Sequence, residues 1–186
     1  MLENKQFIRR GEADASGVLK RNAASAIVDN AWVHILDASE LTIEQMPNKN
    51  CSVPYDFWQE HKEALAKLDY DVAVQIAADA EIYEIAEQLI DQPLIVLTFA
   101  SYVDGRSYSH AYLLRTRYGY TGEIRAVGQV HFDHLDFLAR CGVNSFELPE
   151  GHDLTAAVTA FDQFSEVYQP SADDGRLIFS KRRAVH

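Results

Sequence analysis

Cysteine is scarce in this chain. The two present, Cys51 and Cys141, form no Cys-x-x-Cys pair and no metal-type cluster, so neither a disulfide framework nor a cysteine metal site is expected. Positive charge is also short: 17 Lys and Arg face 28 Asp and Glu, a formal net charge of -11 at pH 7. Such a surface repels phosphate backbones and anionic lipid, so neither nucleic acid nor membrane is an expected partner. Lys181-Arg182-Arg183 is a local exception. No apolar run approaches the roughly 20 residues that cross a bilayer. Met1 to Arg10 lacks the apolar stretch of a signal peptide. A reducing cytoplasm is the expected compartment. The glycines make no spaced dinucleotide fingerprint and no phosphate-cradling loop, and no Gly-x-Ser-x-Gly elbow occurs. Motifs therefore assign neither a cofactor nor a catalytic residue.

Apolar residues make up 47% of the chain, enough for a sizeable core in a single domain. Residues 1–22 are charged and weakly apolar and read as a flexible arm, with one short strand at Gln6–Ile8. Ala24–Val28 and Trp32–Leu36 are apolar runs separated by Asp29-Asn30-Ala31, turn chemistry that predicts an N-terminal β-hairpin over 24–36. A loop follows over 37–50. From Pro54 to Tyr168 helical stripes alternate with short apolar runs. Strands are expected at 72–77, 94–99, 123–127 and 145–148. Helices are expected from Pro54, from Asp79 with Ile82 to Ile90 inward, around Ser107–Tyr118, over Val130–Cys141, and from an Asp153 cap with Phe161 and Phe164 inward. Residues 169–186 form a polar tail with one apolar piece, Leu177–Phe179. The alternation implies βαβ crossovers: one α/β domain over 1–186, a parallel sheet with βα repeats and flanking helices, preceded by the hairpin. Right-handed crossovers place the strand-to-helix loops on one edge, where ligands bind in such sheets. Those loops are Ala78–Asp79, Ala100–Arg106, Gly128–Gln129 and Pro149–His152.

The richest of them runs from Ala100 to Ser109. Gly105 permits a tight turn, the helix start offers free amides, and Arg106 adds a planar cation. Ser107 and Ser109 add hydroxyls. One reading is an anion site; the other is that Asp104 caps the helix and Arg106 pairs with a surface acid. Arg125 lies inside an apolar strand and must be paired or must reach the strand's carboxyl end. It is either a second cation facing the Arg106 ligand, beside Gly128 and Gln129, or one partner of a salt bridge to Glu123, Asp104 or a helix acid. Arg115 and Arg117 read as surface charges. His131 and His134 share a helix face, a spacing open to a metal pair but commoner for histidines half-buried against a sheet; no metal is expected. Cys51 and Cys141 read as structural.

Several segments together carry a resemblance: Asp104-Gly105-Arg106, Tyr108-Ser109, Leu113-Leu114-Arg115, Tyr118-Gly119-Tyr120-Thr121-Gly122-Glu123, Arg125-Ala126-Val127-Gly128 and Arg140-Cys141-Gly142. They resemble a bacterial family catalogued as domain of unknown function nine-thirty-four. Tyr168-Gln169 also matches, and Val53-Pro54 with Trp58 matches more loosely. Members are often labelled probable oxidoreductases of sulfite reduction, with genes beside those of assimilatory sulfite reductase. The resemblance implies a pathway, with no established catalytic residue. The family usually has Asp-Val-Leu and then Asp-Gln where this chain reads Gln129-Val130-His131 and Asp133-His134, so a carboxylate role at 129 does not carry over. On the motif, the candidate anion-binding residues are Asp104, Gly105, Arg106, Ser107, Tyr108, Ser109, Arg125, Gly128 and Gln129. Two functions are expected to compete. One is an accessory protein or oxidoreductase of assimilatory sulfite reduction holding a small anionic ligand; as an enzyme it would need a redox cofactor, whose identity is open. The other is a non-catalytic module docking on a sulfite reductase subunit through Lys181–Arg183 and exposed aromatics such as Tyr102 and Tyr168.

Overall fold

The computed structural model of the chain describes residues 4–11, 14–15, 18, 20–21, 23–164, 166–175 and 179. Among these residues there are eight strands: β1 (Gln6–Arg10), β2 (Ser25–Asp29), β3 (Val33–His34), β4 (Cys51–Pro54), β5 (Val72–Ile76), β6 (Leu94–Phe99), β7 (Glu123–Gly128) and β8 (Ser145–Phe146). They join one sheet in the order β2-β1-β8-β7-β6-β5-β4-β3. From β3 to β8 neighbours are parallel, while β1 runs antiparallel to both β8 and β2. The helices are α1 (Tyr55–Leu65), α2 (Ile82–Leu89), α3 (Arg106–Thr116), α4 (Leu135–Arg140) and α5 (Leu154–Val158). The parallel strands expected near 72–77, 94–99 and 123–127 are present, as is the Asp153 cap, whose carboxylate accepts from the amides of Thr155 and Ala156. The α2 cap is Glu81, with no side-chain bond, where Asp79 was expected.

Side chains alternate across each strand, so β6 feeds two layers. Ile95, Leu97 and Phe99 enter the main core beneath the helices. Leu94 and Val96 face the other way, against Ala73, Val127 and Trp32. That double cover explains the unbroken apolar run. The sheet curls into a half-barrel. His34 on β3 and Glu147, just past β8, are five strands apart and would stand about 24 Å apart across a flat sheet. Here His34 Nε2 lies 2.7 Å from Glu147 Oε1.

The N-terminal expectation is corrected. The runs around Asp29-Asn30-Ala31 do not pair with each other: β2 and β3 lie at opposite edges of the sheet. The segment between them crosses the concave face instead. Asn30 Oδ1 accepts from the Trp32 amide at 3.0 Å and from Arg125 Nη1 at 3.1 Å, and Trp32 packs on the β6 side chains. The polar pair that looked like a turn is an anchor inside the curl. The short strand expected at Gln6–Ile8 is present and runs on to Arg10 as β1; its Phe7 and Ile8 are buried, so this part of the stretch read as an arm belongs to the sheet. Ile90 and Phe164, expected inward, are exposed, because α2 and α5 end before reaching them. Lys181–Arg183 and the run Leu177–Ile178 lie outside the described residues.

Candidate functional site

The carboxyl edge of the curled sheet opens into a cleft of about 440 Å³. Its walls include Leu36, Pro54, Tyr55, Phe99 and Val127, and its polar groups come from Gln75, Thr98, Asp56 and Asp79. Pairing aligns Gln75, Val96, Arg125 and Ser145 in one row across four strands, with Thr98 and Val127 in the next row toward the edge. Gln75 is 3% exposed. Its Nε2 donates to Ile35 O at 3.1 Å and to Ser52 O and Oγ at 2.8 Å each. Those acceptors fix the amide, since a flipped Oε1 would face two carbonyls. No donor among the described residues reaches Oε1, so it is the open acceptor in the cleft floor. Asp56, in the first turn of α1, and Asp79, ahead of α2, are exposed at the rim.

Below the floor the concave face holds a buried charged network. Arg125, 2% exposed, donates Nε and Nη2 to Glu123 Oε1 and Nη1 to Glu147 Oε1. Its guanidinium lies 4.1 Å over the Phe7 ring. Glu147 also takes His34 Nε2, and His34 Nδ1 lies 2.5 Å from Ser52 Oγ. Serine, imidazole and carboxylate thus stand in series, the order of a hydrolase relay. All three are fully buried, and Ser52 Oγ already receives Gln75, so the series cannot meet a substrate directly. It closes the curl.

The candidate anion-binding residues are dispersed. Arg125 sits inside the sheet, neutralised by two carboxylates, and does not converge with Arg106 as expected. Arg106 is exposed, and both its Nε and Nη2 bond to Asp104 at 3.0 and 2.7 Å. Those bonds hold the Asp104 carboxyl down to about 2. Ser107 is buried, its hydroxyl donating to Thr98 O at 3.2 Å. Gly105, Tyr108 and Ser109 line a separate groove of about 760 Å³ with Tyr83, Tyr112 and Phe137. Gly128 does line the cleft. It has a φ of 96°, and a Cβ there would collide with the Phe99 carbonyl. Gln129 donates its amide to that carbonyl at 2.8 Å. His131 Nδ1 faces His152 Nε2 at 3.2 Å, while His134 Nδ1 turns back to the His131 amide. Among the described residues no group of three or more His, Cys, Asp or Glu is placed to hold a metal. Cys51 and Cys141 are buried and free, each thiol pushed up to about 11 chiefly by burial.

Residues 73–179 match a family described as a bacterial protein of unknown function, DUF934. That stretch is more than half of the chain. The chain belongs to this family. Comparison with curated proteins gave no match, and comparison with solved structures gave none. Much of the DUF934 motif serves the fold. Arg115, expected on the surface, is 2% exposed, and it donates to the carbonyls of Gly142, Tyr120 and Gly122 at 2.9, 2.6 and 2.8 Å. Burial without a carboxylate partner lowers its pKa to about 10. Gly142 has a φ of 105°, and a Cβ there would strike the Arg115 stem. Gln75 and Thr98 also fall in the matched stretch but were missed. The available signal was a polar residue interrupting the run Val72–Ala77, the same rule that drew attention to Arg125.

Proposed function

We propose that this protein is a ligand-binding accessory protein of assimilatory sulfite reduction that works through the cleft at the carboxyl edge of its sheet. The observation carrying the binding reading is the cleft itself, sized for a small molecule and floored by a buried amide with an open acceptor. The pathway rests on the resemblance of the motif around Asp104–Gly142. An anion at the Arg106 edge is less well supported, because Arg106 and Arg125 are each already paired. A redox role would draw its electrons from a bound cofactor, since neither buried cysteine offers a thiolate.

One experiment tests both parts. Deleting the gene should impair growth on sulfate and on sulfite, with cysteine restoring it. Wild type should complement. Ala100→Trp, which places an indole in the cleft from an exposed position, should not complement despite an unchanged melting temperature. Unchanged growth of the deletion removes the pathway; full complementation by Ala100→Trp removes the cleft.

A second reading, docking on a sulfite reductase subunit, is favoured by the groove where Tyr83, Tyr112 and Phe137 are 57, 42 and 51% exposed. Phe137→Asp should then abolish co-elution with the purified subunit while leaving the fold intact.

A further inference from the structure

The geometry points to an organic ammonium, a protonated amine on an apolar body, as the ligand class of the cleft. This rests on the binding reading above and adds to it the sign of the ligand's charge. The starts of α1 and α2 face this edge, and each carries roughly half a positive charge. Each is opposed by a whole negative one. Asp56 occupies the first turn of α1, and Asp79 stands just ahead of α2. Two full charges outweigh two halves, so the rim is negative. Arg106 stands close enough to Asp79 to feel its charge, but both oxygens of Asp104 hold its guanidinium.

The floor points the same way, independently of the rim. Gln75 is buried, and its donor end is saturated by Ile35 and Ser52. What it leaves to the cleft is a carbonyl oxygen, which only accepts. Thr98 Oγ1 gives its hydrogen to Ile76 O at 3.2 Å and likewise has lone pairs left to offer. A carboxylate, sulfite or phosphate would meet acceptors in the floor and carboxylates at the rim, with only the amides of the two helix starts to replace its hydration. An ammonium donates three hydrogen bonds into that set and is drawn in by the rim. Tyr55, Phe99, Val127 and Leu36 supply apolar walls for the carbon body.

The test uses three probes of one shape: benzylamine, benzyl alcohol and benzoate, titrated into the ¹⁵N-labelled full chain at pH 7. Benzylamine should shift the Gln75 side-chain amide and the Thr98 and Ala100 amides, and should bind at least about tenfold more tightly than benzoate. Asp56→Asn with Asp79→Asn should weaken benzylamine by about fivefold and leave benzyl alcohol unchanged. Both sites are exposed, so folding is not at risk. Benzyl alcohol or benzoate binding in the cleft as tightly as benzylamine overturns the charge assignment while the cleft stands as a site. If none of the three shifts these residues, the cleft reading itself fails, and this inference with it.

Discussion

His110 on α3 is 6% exposed, and its buried Nδ1 has no hydrogen-bond partner among the described residues. Burial is the main cause of a pKa below the ordinary 6.5, and His134 is shifted the same way. The unfolded chain takes up these protons near 6.5, and the folded chain only at lower pH. Below 6.5 the unfolded state therefore binds more protons, so stability is full above that value and falls as pH drops through it. The melting temperature should fall between pH 7 and pH 5, and should fall less in His110→Leu. An equal fall in both proteins would show that the buried imidazole is not the titrating group. Arg125 makes the complementary point about single residues. Its position in a strand required a partner, and the sequence already offered Glu123 two residues away on the same face. What no local pattern could supply was Glu147, which reaches the same guanidinium from just past β8.

At the scale of elements, α3 is locked to the amino ends of β7 and β8 by one side chain. Replacing Arg115 by Leu leaves the carbonyls of Tyr120, Gly122 and Gly142 short of a buried donor, about 1–3 kcal/mol for each unsatisfied group. Arg117 is exposed at the C-cap of the same helix, over the Tyr83 ring at 5.1 Å, and its loss should cost no more than about 1 kcal/mol. Urea melts of the two variants should differ in midpoint accordingly; similar losses would place Arg115 outside the lock. The βα core was legible because each strand there is an apolar run between helical stripes, and helical periodicity survives whatever the sheet does. β1, β2 and β3 were legible as short apolar runs, but their partners were not. β1 takes its second neighbour, β8, from far along the chain, and Asn30 has the same chemistry whether it turns a hairpin or anchors a crossover. The cleft edge was legible from topology, but its polarity was not. That depends on which end of Gln75 faces outward, and Ser52, a strand away, decides it.

For the whole molecule, the curl is held where β3 meets the end of β8. Glu147→Gln removes the carboxylate shared by Arg125 and His34 while Glu123 still pairs with the guanidinium, a loss of about 1.5–3 kcal/mol, the scale of a hydrogen bond to a charged group. For a chain of this size that corresponds to about 2–4 °C of melting temperature per kcal/mol. Trp32, packed on the concave face, should report the opening as a red-shifted fluorescence; an unshifted spectrum at full stability would mean that the curl does not depend on this carboxylate. The same closure has a history in the making of the protein. β1 leaves the ribosome well before β8, the neighbour that buries its inner edge, with Ile8 beside Phe146. At about 5–20 residues per second the nascent chain waits about 7–30 s for that partner. Through that interval β1 can pair with β2 alone, a two-stranded ribbon whose β1 edge is left bare for any other emerging strand to claim. The stability of the finished protein therefore says little about its yield. Yield will follow elongation speed and whatever shields that ribbon in the cell.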